Sequence, residues 1–337
     1  MPASLTGRER DILSLLVQGL TNGEIADHLV LSTNTVKWYV RQLLNKLGVE
    51  NRRQIVARAK ALNLLGTPVD VSIRSHNLPA PTTQFFGRSD EIAQLRRLLD
   101  DKSNRLITLI AAGGMGKTRL ALATAESCLA AFSDGVYFMP LSALRTPDQL
   151  LPLIADTIGL QITADQRTSQ QQLAHFLRDR HLLLILDNFE HLLNGVELLI
   201  DLLEAAPHLR LLLTSRERLN VRCETLFAVG GLSYPKTVGD DGVLDYSAVQ
   251  LFLECARRQN PRMSVQDLAS VVHICQMTQG MPLAVELAAA WVGLLSPAEV
   301  AAEIGRGIDF LQTNLRDVPE RQRSIIAVFR SILEASQ

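Results

Sequence analysis

The chain has 337 residues, 47% hydrophobic and 20% charged, with a formal net charge of −1. That length predicts two or three domains of about 100 to 200 residues, and the composition excludes disordered, collagenous and disulfide-rich classes. The near-neutral balance names no partner by itself.

Local balance says more. Residues 1 to 65 hold nine Lys/Arg against five Asp/Glu, a net of +4, which leaves −5 for the rest. Cys128, Cys223, Cys255 and Cys275 form no C-x-x-C pair, so neither a zinc site nor a disulfide framework is expected. The longest apolar stretch, "LAVELAAAWVGLL", is interrupted by Glu286 and falls short of the roughly 18 residues that span a bilayer. The N-terminus "MPASLTGRER" lacks the apolar core of a signal peptide. A cytoplasmic protein with no membrane partner is expected.

In chain order, residues 7 to 65 predict short helices only: "RERDILSLLVQGL", "TNGEIADHL", "TNTVKWYVRQLLNKLG" and "RRQIVARAKALNLL". Thr21 with Glu24 reads as a capping box, and Ser32 as the cap of the third helix. Residues 67 to 84 hold three prolines and predict a linker or extended arm. Apolar runs at 106–110, 135–139, 181–186 and 209–214 then alternate with helical stretches, the pattern of a parallel sheet with crossover helices. From about 246 the pattern is helical, and "VPERQRSIIAVFRSILEASQ" begins a further helical unit.

In the third helix, Val36, Val40, Leu43 and Leu47 lie at core spacing, leaving Asn34, Lys37, Trp38, Arg41 and Asn45 on the other face. A short helix, a turn and a longer helix with basic residues have helix-turn-helix geometry, in which the second helix enters the major groove. Lys37 and Arg41 then reach base edges or phosphates. The alternative is a solvated basic face, on which Trp38 is hard to explain.

The stretch "LIAAGGMGKTRLALA" nearly matches the phosphate-cradling pattern G-x-x-x-x-G-K-[ST], with Ala111 at the first glycine position. That position mostly ends a strand. Gly113, Gly114 and Gly116 make the close approach, so nucleotide binding is expected to survive. Lys117 supplies charge to the terminal phosphates and Thr118 offers a hydroxyl to Mg²⁺. Asp187, at the end of "HLLLILD", stands where a Mg²⁺-organising carboxylate belongs. Asn188 follows it, so the obvious base for a hydrolytic water is missing; Glu190 is the substitute candidate or an ordinary first-turn acid. In "LLLTSRERL", Thr214, Ser215 and Arg216 end a strand at the same sheet edge; the arginine either reports a γ-phosphate or pairs with Glu217. Gly280 and Pro282 open a helix where a rigid turn can cap an adenine ring.

On these motifs, residues 4 to 65 closely resemble the LuxR/GerE-type helix-turn-helix. The resemblance implies a DNA-binding unit that usually dimerises, with Lys37, Trp38 and Arg41 at base-reading positions and Thr33, Asn34 and Thr35 near phosphates. Residues 77 to 337 resemble a STAND-class, NB-ARC-like, AAA+-related ATPase through "NLPAPTTQFFGRSDEI", the phosphate loop, "LILDNFEHL", "LLTSRERL" and "GMPLAVELAAA". This resemblance implies an ATP/ADP and Mg²⁺ site. Gly87, Arg88, Met115 and Arg119 then join Gly113, Gly114, Gly116, Lys117 and Thr118 around the nucleotide, with Arg216 sensing the γ-phosphate and Pro282 touching adenine.

The expected fold class is therefore multidomain. It comprises an all-α helix-turn-helix domain (1–66), a linker (67–84), an α/β P-loop NTPase domain with a parallel sheet (85–235), an α-helical domain (236–310) and the start of a winged-helix domain (311–337). The expected function is a nucleotide-switched transcription regulator that binds double-stranded DNA and self-associates on activation by an inducer the sequence does not identify. Any ATPase activity is expected to be slow. Two other readings are a DNA-stimulated motor and a signalling scaffold that uses the helix-turn-helix for protein contacts.

Overall fold

The computed structural model describes residues 12–13, 15–16, 20–29, 33–49, 51–52, 54–55, 58, 75–164, 166–237, 242–260 and 267–306, except the side chains of 27–29, 34, 38 and 45. Two compact units divide the chain, Met1–Ile73 and Arg74–Gln337. The expected cap Ser32, the winged-helix start at 311–337 and most of the fourth N-terminal helix lie outside the described residues.

The first unit contains helices α1 (Asn22–Leu29) and α2 (Thr33–Leu47). Thr21 and Glu24 make the expected reciprocal cap: the Thr21 N–H donates to Glu24 Oε2 at 2.6 Å, and the Glu24 N–H to Thr21 Oγ1 at 3.3 Å. These bonds hold the Glu24 carboxyl below its ordinary pKa. Ile12, Leu13, Leu16, Ile25, Val36, Leu43 and Ile55 bury fully or nearly so in one cluster. Val40 packs against it and Leu47 belongs to it, so α2 turns its apolar stripe inward as the 3.6-residue period requires.

The second unit is built on five strands, β1 (Leu106–Ile110), β2 (Gly135–Pro140), β3 (Leu182–Asp187), β4 (Arg210–Ser215) and β5 (Glu224–Ala228). They run parallel in the order β2-β3-β4-β1-β5. Helices α3 (Ser89–Asp100), α4 (Lys117–Cys128), α5 (Leu150–Thr157), α6 (Ser169–Leu177) and α7 (Val196–Ala205) accompany the sheet. Ile107, Leu109, Leu183, Ile185 and Leu212 pack on one face with residues of α3 and α4. Leu106, Leu184, Leu186, Leu211 and Leu213 pack on the other with residues of α5, α6 and α7. Burial on both faces is why these strands read as unbroken apolar runs.

Beyond the sheet, α8 (Ser247–Gln259), α9 (Leu268–Met277), α10 (Pro282–Ala290) and α11 (Pro297–Arg306) form a helical subdomain. Its cluster, centred on Phe252, Ile274, Met281 and Val285, also receives Phe86, Ala112 and Met115 from the phosphate-loop side. The fold class is thus the one expected: a helical N-terminal domain, then an α/β P-loop unit with a helical subdomain.

Within the stretch read as linker or arm, residues 75–84 belong to the second unit. His76 bridges Val136 in parallel register, and the Val136 N–H donates to the Ser75 carbonyl at 3.0 Å. The Asn77 carboxamide donates to the Phe138 carbonyl at 2.8 Å and accepts from the Phe138 N–H at 2.6 Å. An arm is therefore laid along the outer edge of β2. The four cysteines are free; Cys128 and Cys275 are buried. Among the described residues no helix is long and apolar enough to cross a membrane.

Candidate functional site

The loop between β1 and α4 starts as the sequence suggested. The Ala111 N–H donates to the Ser215 carbonyl at 3.4 Å and so continues the β1–β4 ladder, where a methyl group does no harm. Gly114 and Gly116 have φ of +78° and +81°, the left-handed region that a Cβ disfavours. Their backbone turns the chain directly into the N-terminus of α4. Lys117 donates from Nζ to the carbonyls of Ala111 at 2.7 Å and Ala112 at 3.0 Å. Burial pushes its pKa down to about 8; Glu190 and Asp187 oppose that shift and Arg216 adds to it.

Beside the loop, Thr118 Oγ1 donates to Asp187 Oδ1 at 2.7 Å, and Thr214 Oγ1 donates to the same oxygen at 2.6 Å. The strand order explains the convergence. β4 lies between the loop strand β1 and the Asp187 strand β3, so the end of β4 delivers Thr214 to the carboxylate. Asn188 adopts φ of 63°, gives its side-chain amide to Asp187 Oδ2 at 3.2 Å and its N–H to Thr214 Oγ1 at 2.9 Å. Glu190 Oε1 lies 3.3 Å from Arg216 Nε, while its buried Oε2 has no hydrogen-bond partner among the described residues. Arg216 thus faces Glu190 rather than Glu217.

Arg88 supports the loop by its backbone. Its Nη2 donates to the carbonyls of Met115 and Gly230, both at 2.9 Å, and Nη1 lies 3.6 Å from Glu91. Burial lowers its pKa, opposed by Glu91. Gly87 precedes it at φ of +64°, and a Cβ there would stand 2.1 Å from Ser247 Oγ. Pro282 is the first residue of α10, and the Leu283 N–H donates to the Gly114 carbonyl at 3.2 Å. Phe86, Arg88, Arg119, Leu232, Leu251 and Pro282 are among the residues lining a cavity beside Gly116.

Arg119, which lines that cavity, also reaches away from the loop. Its Nη2 donates to the carbonyls of Thr83 at 3.0 Å and Gln84 at 2.7 Å, in the arm. Sequence reasoning also gave Thr214 no role and passed over Asn77 and Glu286. Their partners are 27, 61 and 167 residues away, and no local pattern signals them.

The donor set fits a Mg²⁺-bound polyphosphate. A buried lysine whose charge is penalised by desolvation gains from an anion, and hydroxyl plus carboxylate oxygens suit a hard divalent cation. In the first unit, Lys37, Arg41 and Thr33 are exposed on α2 and Thr35 is half-buried. The side chains of Asn34 and Trp38 lie outside the described residues.

Residues 3–59 match the model of the bacterial regulatory proteins of the luxR family, and residues 99–223 match an AAA domain. This chain joins a LuxR-type helix-turn-helix to an AAA domain. Over 229 residues it is 34% identical to a Mycobacterium tuberculosis protein whose name assigns it as an HTH-type transcriptional regulator, covering 66% of this chain and 24% of that one. An uncharacterised M. tuberculosis protein is 35% identical over 238 residues, 70% of this chain and 57% of its own. The LuxR-type domain is 47% identical over 68 residues to the DNA-binding transcriptional activator DevR/DosR of M. tuberculosis, covering 20% of this chain and 31% of that one. The chain therefore spans about a quarter to just over half the length of the longer curated relatives. Among solved structures, a STAND protein with a tetratricopeptide repeat sensor from Pyrococcus horikoshii aligns with TM-score 0.43 and 17% identity, over 66% of this chain and 31% of that one. The Drosophila ORC bound to DNA aligns with TM-score 0.47 and 14% identity, over 69% and 70%.

Proposed function

We propose that the chain is an ATP/ADP-switched transcription regulator, in which nucleotide state in the AAA domain governs DNA binding by the LuxR-type domain. The observation that carries this reading is the meeting of Thr118, Asp187 and Thr214 beside a glycine loop that buries Lys117, in a chain whose other unit exposes Lys37 and Arg41 on α2.

In this reading Gly113, Gly114, Met115 and Gly116 wrap the phosphates, Lys117 neutralises them, and Thr118 with Asp187 holds Mg²⁺. Bound Mg²⁺–ATP supplies a polarised γ-phosphoryl group. Arg88 fixes the loop backbone, while Pro282 and Phe86 border the cavity that would take the base. Arg216 and Glu190 face each other near Lys117, where an arginine can respond to a γ-phosphate. The Asn188 amide is a donor to Asp187, not a proton acceptor for water, so the residues favour retention of nucleotide over turnover. Lys37, Arg41, Thr33 and Thr35, with Asn34 and Trp38 by resemblance, form the DNA-reading face. Assembly on activation and an inducer belong to the same reading.

The test is nucleotide and DNA titration of the full chain. Lys117→Ala should weaken ATP binding at least about tenfold, roughly 1.4 kcal/mol. Unchanged affinity overturns the phosphate-loop assignment. Salt-sensitive DNA binding that differs between the ADP- and ATP-loaded protein supports the switch; DNA-stimulated rapid turnover favours a motor instead, and no DNA binding in either state favours a scaffold.

A further inference from the structure

Arg119 sits one residue after Thr118 on α4, about 100° around the helix. Thr118 therefore faces Asp187 while Arg119 faces outward onto other segments. Its Nη2 is shared between the arm carbonyls of Thr83 and Gln84 at 3.0 and 2.7 Å. Nη1 lies 3.9 Å from Glu286 Oε1 on α10, and the guanidinium stands 5.6 Å from the centre of the Phe85 ring. One side chain thus joins the phosphate-loop helix, the helical subdomain and the arm that follows the N-terminal unit in sequence.

The two partners compete. A strong arginine–carboxylate pair uses two N–H groups in a fork, and the arm carbonyls hold the Nη2 that such a fork to Glu286 would need. At 3.9 Å the Glu286 contact is an ion pair without that fork. If α10 moves closer to α4, the carboxylate gains the fork and the arm loses its anchor. If α10 withdraws, the arm keeps it. The contact is also partly exposed, 37% for the Arg119 side chain and 40% for Glu286, so neither arrangement is locked by burial. The other end of the arm is held separately, by Asn77 on β2.

We propose that Arg119 is the positioning residue that transmits the state of the phosphate loop to the arm, by exchanging the carbonyls of Thr83 and Gln84 for the Glu286 carboxylate. This rests on the reading of the loop as a nucleotide site. It gives the switch a physical route from the AAA domain toward the segment that leads to the DNA-binding unit.

Limited chymotrypsin digestion of the full chain tests it, reading by mass the initial rate of cleavage after Phe85 with saturating ADP or a non-hydrolysable ATP analogue. Release of the arm should make the rates in the two states differ at least about threefold. Arg119→Ala should raise both rates and bring their ratio to about one, Arg119→Lys should restore much of the difference, and Glu286→Gln should shrink it. A ratio that survives in Arg119→Ala, or is unaltered in Glu286→Gln, overturns the proposal. Nucleotide binding is titrated on the same samples: a parent chain that binds both nucleotides yet shows equal cleavage refutes the coupling alone, whereas one that binds neither refutes the phosphate-loop reading beneath it.

Discussion

Raising the pH should weaken nucleotide binding in a way that reports directly on Lys117. Burial holds this lysine at about 8 instead of its ordinary 10.5. A polyphosphate favours the charged form, so the pKa rises on binding and the complex takes up a proton wherever free Lys117 is neutral. The sign follows: affinity is flat below pH 8, then falls until the pKa of the bound state is reached. At pH 9 about one-tenth of the free protein carries the proton, so affinity drops about tenfold per pH unit, or about 1.4 kcal/mol. Phosphate oxygens with a second pKa near 6 are already ionised there and do not contribute. Calorimetric titration between about pH 7 and 9.5, in two buffers of different ionisation enthalpy, reads both affinity and proton uptake. Lys117→Arg, whose guanidinium stays charged, should bind with no such pH dependence. Constant affinity with no proton uptake at pH 9 in the parent chain would refute the argument that Lys117 is a desolvated phosphate ligand.

Gly87→Ala should destabilise the second unit by about 2 to 4 kcal/mol, combining the left-handed backbone cost with overpacking against Ser247. In a Ser247→Gly background only the backbone part, about 1 to 2 kcal/mol, should remain in urea melts; equal cost in both backgrounds would show that the clash relaxes freely. Replacing Lys37 and Arg41 together with Ala should abolish binding, by fluorescence anisotropy, to DNA selected with the parent chain while leaving the melting temperature unchanged, since both are exposed on α2. Binding at parental strength would exclude α2 as the reading helix. Steady-state phosphate release should stay well below about 1 s⁻¹ with or without DNA, because Asn188 offers no base. Several turnovers per second would favour the motor reading and make Glu190→Gln the next variant to measure.

The parts legible in the sequence were those whose cause is local. Strands β1 to β4 announce themselves because both faces are buried, and the capping box at Thr21 needs only four residues to close. Asp187 and the glycine loop were readable for the same reason: each ends or begins an element whose apolar run is unmistakable. β5 was missed because "ETLFA" is a short edge strand with mixed exposure, made a strand only by pairing with β1. Thr214 gained its partner from the strand order, which places β4 between β1 and β3. Arg216 was weighed against its neighbour Glu217, whereas the fold brings Glu190 to it. Arg119 was expected beside the nucleotide by resemblance alone, and nothing local hints that carbonyls 35 and 36 residues upstream would also occupy it.

The arm along β2 also guards a surface. β2 is the outermost strand of the sheet, and Asn77 meets the peptide N–H and carbonyl of Phe138 with one carboxamide, imitating a rung of a neighbouring strand. An uncovered strand edge is a template for pairing with another chain. A fragment of the AAA domain cut at Phe85, however complete its phosphate loop, would therefore bare an edge beside Tyr137 and Phe138 that is open to pairing with another chain. Intact, the chain keeps residues 75–77 there as a stopper, so the cover on that edge is continuous with the segment that Arg119 anchors at Thr83 and Gln84.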